Sequence, residues 1–240
     1  MSEETFLLRY EFRLADGVSK SFEVTLGRMS MDLIPATDPR PVQPQPDWTA
    51  LKHHQCPNCP LASGTSPQCP IAVNLVDVID SFRDCLSIEH AEIIISTHSR
   101  EYRKRAPLQY GISSLMGIYM VTAGCPIMDK LRPMVLTHLP FANIEETLYR
   151  AVSMYLFAQY YRNLRGKNPD WKLEKLVRIY EGVSVVNKAF ARRLLSINPQ
   201  DASLNALVGL DCFAAVTAFS ITRDSLKELE LLFHAYLNEP

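Results

Sequence analysis

The sequence predicts an α+β fold, predominantly helical, in which a small N-terminal antiparallel β-sheet precedes a helical domain that carries a Cys-rich metal-binding segment. Three observations predict it. Apolar residues alternate with polar ones over the first thirty residues, the mark of half-buried strands. Five prolines follow between Pro35 and Pro46. Beyond residue 70 the apolar positions recur at helical spacing over most of the chain. The division that results is a sheet at 1–34, a Pro-rich linker at 35–52 and a mainly helical domain at 53–240.

Phe6, Leu8, Tyr10, Phe12 and Leu14 share one face of the first strand, and Asp16-Gly17 signals the turn after it. Phe22, Val24 and Leu26 repeat the pattern. Met29, Met31 and Leu33 suggest a third short strand. Pro70 suits a first helical turn, where its missing N–H costs nothing, and Leu75, Val76, Ile79, Phe82 and Leu86 continue that helix. Ile93, Ile94 and Ile95 predict one strand over 91–104. A helix over 108–123 closes at Gly124. Pro126 opens another that ends before Pro140, with Pro133 a point of breakage. Asn143 and Glu146 read as a capping box for a helix reaching about residue 166. Further helices are expected at 170–196, 201–218 and 224–237, the last capped by Asp224.

Bulk composition excludes several classes. A net charge of −1 gives no overall attraction to nucleic acid or anionic membrane. The start is acidic, unlike a secretory signal. The longest apolar candidate, 144–161, is interrupted by Glu145, Glu146 and Arg150, so no membrane span is expected. These features predict a cytoplasmic protein, whose six cysteines are free, metal-bound or catalytic in a reducing compartment.

Four of the six, Cys56, Cys59, Cys69 and Cys125, are each followed by proline. With six cysteines and sixteen prolines in 240 residues, chance gives about 0.4 such pairs. The C-x2-C pair lets two thiolates converge from a tight turn. Cys69 and Cys125 each precede a proline that can start a helix, where free N–H groups and the dipole favour a thiolate. These four are therefore the expected metal ligands. Zinc is the first expectation for four thiolates. The alternative is a [4Fe–4S] cluster, since Cys-Pro recurs beside cluster ligands. His53 or His54 could replace one cysteine, although exposure is the simpler reading of both. Cys85 and Cys212, in apolar helical patterns, read as buried hydrophobes. Cys125 as a lone nucleophile explains less than shared ligation does.

Other groups were weighed against plain structural roles. Arg100, Tyr102, Arg103, Lys104 and Arg105 form a basic cluster that Arg132 and Arg192-Arg193 could extend. A solvated strand end is the simpler reading, so nucleic acid is an unlikely partner. His90, His98 and His138, with Glu89, Glu92 and Glu101 near two of them, could form an acid–base site. Residues 109–117 combine small and polar residues suited to close helix packing or a pocket wall. Tyr149, Tyr155, Phe157, Tyr160 and Tyr161 read as core and interface, which leaves a homo-oligomer possible. The sequence has no G-x-G-x-x-G after a strand, no P-loop, no G-x-S-x-G elbow and no E-x-x-H pair.

The functional expectation is a cytosolic metal-binding protein with a binding or regulatory role and a protein or small-molecule partner. An iron–sulfur redox enzyme is the alternative and a nucleic-acid binder using residues 100–105 the second alternative.

Overall fold

Alternation in the first strand places Leu8, Tyr10 and Phe12 inward and Leu7, Arg9, Glu11 and Arg13 outward. The computed structural model describes residues 4–34, 44–197, 200–222 and 226–239. Strand β1 (Thr5–Leu14) pairs with β2 (Ser19–Gly27) through the Asp16-Gly17 turn. Strands β3 (His90–Ser96) and β4 (Glu101–Pro107) complete one antiparallel sheet in the order β2-β1-β3-β4. The single strand expected at 91–104 is thus a hairpin, because the turn at 97–100 reverses the chain. Met29 to Leu33 form no strand, and Leu33 makes one isolated bridge to Leu26. Residues 35–43 of the expected linker lie outside the described residues, and the rest carries a short 3-10 turn at Asp47–Thr49 with Trp48 and Thr49 buried.

The outer sheet face is a ladder of opposite charges. Arg9 meets Glu23 across β1 and β2, and Arg13 meets Glu92 across β1 and β3. Exposed pairs of this kind add little stability each, but they keep one face wet. Phe82, just past helix α1 (Pro70–Ser81), packs edge-on against Phe12 and stacks on Phe22 on the inner face. Helix α2 (Leu108–Thr122) lies on the same face, seated through Gly111. A Cβ at Gly111 would stand 2.6 Å from the Phe12 ring, so only glycine allows that approach.

Pro133 shapes the segment after α2. A proline inside a helix removes one hydrogen bond and clashes with the preceding turn. Met128–Val135 accordingly forms a 3-10 segment in place of the expected α-helix. Asn143 and Glu146 form the expected capping box at the start of α3 (Ile144–Leu164). Helices α4 (Glu174–Leu195) and α5 (Asp201–Thr222) pack against each other, and α5 also packs on α2. At the start of α5, Asp201 accepts from the backbone N–H and hydroxyl of Ser87. The expected helix at 224–237 is three short helical pieces between Lys227 and Leu237, and Asp224 lies outside the described residues. Helix is the larger share, about 51% against 16% strand.

Helix α5 corrects the expectation about apolar length. Residues Asp201–Ile221 have mean hydropathy 1.7, enough in length and composition to cross a membrane. Its polar residues, among them Ser203, Asn205, Asp211 and Thr217, are spaced singly among apolar side chains. Ser203 and Thr217 are buried.

Candidate cofactor site and a second cavity

The four Cys-Pro cysteines, which come from three separate parts of the chain, line one small cavity of about 20 Å³. Cys56 and Cys59 sit in a tight turn in which the Cys59 N–H bonds the Cys56 carbonyl at 3.0 Å. Asn58 between them ties that turn to α4, donating to the Gly182 carbonyl at 2.9 Å. Cys69 is the N-cap of α1, with Pro70 in its first turn. Its own N–H bonds the Thr49 carbonyl at 2.8 Å. Cys125 follows Gly124, whose φ of +83° lets the chain leave α2 sharply. Backbone N–H groups of Met128 and Ile127 bond the Cys125 sulfur.

Apart from the thiols, the cavity wall is apolar except for Arg193. Arg193 is 2% exposed and donates to the carbonyls of Trp48, Ala50 and Leu51. Among the described residues no carboxylate pairs with it; the acidic groups closest to it electrostatically are Cys69, Cys56 and Cys59. Burial lowers its pKa and the thiols pull it back up. The Cys56 thiol is pushed up to about 12, by burial first and then by Cys69, Cys125 and Cys59. Burial also raises Cys125, against the pull of its two N–H partners. The raised values keep the Cys56 and Cys125 thiols neutral, and a cation among the cysteines would ionise its ligands. Among the described residues no three His, Cys, Asp or Glu side chains stand close enough to share one metal ion. The thiols face a common void without touching a common point.

The structure places the remaining candidates separately. His53 bonds the Ser196 hydroxyl at 2.7 Å and packs edge-on to His54, and neither lines the cysteine cavity. Cys85 is buried as expected, but Cys212 is exposed, because its position on α5 faces away from α2 and α4. The basic cluster does not extend as one surface. Arg103 faces Glu92 and Glu101, Arg132 bonds Asp32 and Asp129, and Arg193 is buried beside the cysteines. Of the aromatic stripe on α3 only Tyr155 is buried, held by Asp170 at 2.7 Å; Tyr149, Phe157, Tyr160 and Tyr161 are exposed.

His90 and His98 are exposed, whereas His138 joins a second site. Its Nε2 lies 2.7 Å from the Tyr10 hydroxyl and 3.2 Å from that of Ser114, and those hydroxyls are 3.0 Å apart. Tyr10 is fully buried, and burial raises its pKa. Burial, with a smaller push from Arg150, lowers His138 to about 3. The neutral imidazole offers one acceptor, and the phenol takes it at the shorter distance. Ser114 is therefore not activated by a strong base, in keeping with the missing G-x-S-x-G elbow. The triangle borders an open cavity of about 700 Å³ between α2, the 3-10 segment, the start of α3 and α5. Sequence reasoning named His138 and the 109–117 segment but missed Tyr10, whose alternation identifies only an inward-facing strand residue.

The molecule is thus a small α+β protein with a small four-thiol cavity and a larger, mostly apolar one. A family model described as Domain of unknown function (DUF6901) matches residues 8–234, and the chain belongs to that family. No curated protein and no solved structure matches it.

Proposed function

We propose that the protein is a cytoplasmic iron–sulfur protein in which Cys56, Cys59, Cys69 and Cys125 hold one [4Fe–4S] cluster. The observation that carries this reading is the void the four thiols surround. Protein interiors are close-packed, and an empty apolar void forfeits contacts on every side. Thiols with no cofactor between them gain by closing it.

Spacing favours a cluster over zinc. A void that admits a water-sized sphere keeps its lining sulfurs at least about 3.2 Å from its centre. Zinc draws four sulfurs in to about 2.3 Å. In a cluster each cysteine binds a different iron, so its sulfurs stand wider apart. Arg193 supports either metal: four thiolates around a cluster or zinc leave net negative charge, and this buried guanidinium offsets part of it. The N–H groups on the Cys125 sulfur act in the same direction. Bound, the cluster ties the C-x2-C turn, the N-terminus of α1 and the end of α2 together, so it supports folding as well as any electron transfer.

The test is iron, sulfide and zinc analysis with an absorbance spectrum on protein purified without air. About four irons and as many sulfides per chain, with a brown colour bleached by dithionite, is the expected result. One zinc in colourless protein would replace the cluster by a structural zinc site. Cys125→Ser should lose the metal and Cys212→Ser should retain it. A full complement in both variants would remove this ligand set.

A further inference from the structure

We propose that the 700 Å³ cavity beside His138 is a binding site for a small amphipathic carboxylic acid, with the carboxylate held by Arg150 and the apolar chain lying between α2 and α5. The site is separate from the thiol cavity and does not depend on what the thiols hold.

Size is the first argument. Small-molecule sites commonly span about 300–1,000 Å³ and are mostly apolar with a few placed polar groups. This cavity fits both descriptions. Its apolar wall includes Ile118 and Val121 from α2, Leu131 and Val135 from the 3-10 segment, and Leu210 and Phe213 from α5. Gly117 also lines it, and a Cβ there would stand 3.5 Å from Leu210, so a larger side chain would crowd this wall.

Charge is the second argument and sets the ligand's class. Arg150 lines the cavity, and one of its N–H groups bonds the Met134 carbonyl at 2.9 Å. Its Nε is buried with no hydrogen-bond partner. Among the described residues no carboxylate pairs with it. The closest acid along α3, Glu146, is already committed to the cap at Asn143. A half-buried guanidinium with a buried, unpartnered Nε is costly, and a carboxylate suits its planar fork. Lys104 at the mouth adds a second cation, over the Phe141 ring and without an acidic partner among the described residues. Glu145 also lines the mouth and disfavours a second negative charge on the ligand. The result is one acidic group on an apolar body. The Tyr10–Ser114–His138 triangle lies on the α2 side and offers a neutral hydrogen-bonding group within the apolar wall.

The test uses full-length protein and displacement of the fluorescent anion 8-anilinonaphthalene-1-sulfonate by three ten-carbon probes: decanoate, decanol and decyl phosphate. Decanoate should compete at concentrations about tenfold or more below decanol, the difference being one charged contact. Decyl phosphate, with its extra charge, should compete less well than decanoate. Arg150→Gln should bring decanoate down to the level of decanol while leaving decanol unchanged. Gly117→Leu, which fills the chain site, should weaken both. Circular dichroism and a thermal melt check that each variant folds. If Arg150→Gln fails to fold, the wild-type ranking and the Lys104→Gln variant, expected to weaken decanoate alone, still decide the matter. Equal competition by decanoate and decanol, or none by either, overturns the proposal. Tighter competition by decyl phosphate overturns the carboxylate assignment.

Discussion

The thiol cavity admits no polar side chain but four cysteines and Arg193, whereas the cavity beside His138 opens to solvent and mixes cations, hydroxyls and an imidazole into an apolar wall. Helix α2 borders both. Its middle turns line the open cavity, and the residues just past its end supply Cys125. The difference teaches what each can do. A small pocket of like groups is suited to a resident cofactor that enters once. An open pocket with unpartnered cations is suited to a ligand that comes and goes.

The sharpest way to break this comparison is Arg193→Met. The change keeps an apolar stem in the wall but leaves the carbonyls of Trp48, Ala50 and Leu51 without their donor. It also removes the buried positive charge beside the thiols. A stability loss of about 3–5 kcal/mol is expected from urea denaturation, with decanoate competition unchanged in the folded fraction. A loss under about 1 kcal/mol would show that the guanidinium is not the keystone of that pocket.

Gly111→Ala comes next and acts on the other side of α2. The new Cβ would lie 2.6 Å from Phe12 and 2.9 Å from Ile93. Overpacking of this kind costs about 1–3 kcal/mol. Because α2 must shift off the sheet, the open cavity should change while the metal content of the protein holds. Denaturation together with metal analysis separates the two effects.

The two cavities also differed in how far the sequence exposed them. The cysteine set was legible because proline after four of six cysteines is a local signal, independent of where the chain goes. The helix start at Pro70 was legible for the same reason, whereas Pro126 opens a turn that leads into the 3-10 segment. That the sulfurs stand around a void was not legible, since it depends on how α1, α2 and α4 pack. In the Tyr10–Ser114–His138 triangle, His138 and the 109–117 segment stood out locally, but Tyr10 and the meeting of the three did not. Its members come from a strand, a helix and a loop, and only the tertiary packing brings them together. The β3–β4 hairpin was hidden because the Thr97–Arg100 turn lacks glycine and proline. Arg193 was misplaced because a pair of adjacent arginines on a helix looks solvated, yet neighbours on a helix point about 100° apart, so that one faces water and the other the core.

A pH measurement sharpens the contrast further. The folded state lowers His138 to about 3, below its unfolded value. Between those values the unfolded chain binds the extra proton, so stability falls as pH drops from about 6.5 toward 3. A full shift amounts to about 1.4 kcal/mol per pH unit. Partial access through the cavity softens this, and about 1–2 kcal/mol is expected between pH 7 and 5. His138→Gln, which keeps an acceptor for Tyr10, should remove that share of the slope in parallel denaturation curves. Identical slopes in the two proteins would mean that His138 titrates freely.

The smallest effect sits at the mouth of the open cavity. Asn143 accepts from the Glu146 N–H at 2.8 Å, and Glu146 accepts from the Asn143 N–H at 2.8 Å. Asn143→Ala should cost about 1 kcal/mol in denaturation. Its more informative consequence is electrostatic. The backbone N–H at position 143 still donates to Glu146, but with the reciprocal bond gone that carboxylate is held more weakly and can turn toward Arg150 one helical turn on. Decanoate should then compete less well against the dye, while decanol is unaffected. A variant that loses the stability but keeps the decanoate preference would show that Arg150 is reserved for the ligand by geometry alone, not by the capping box that occupies Glu146.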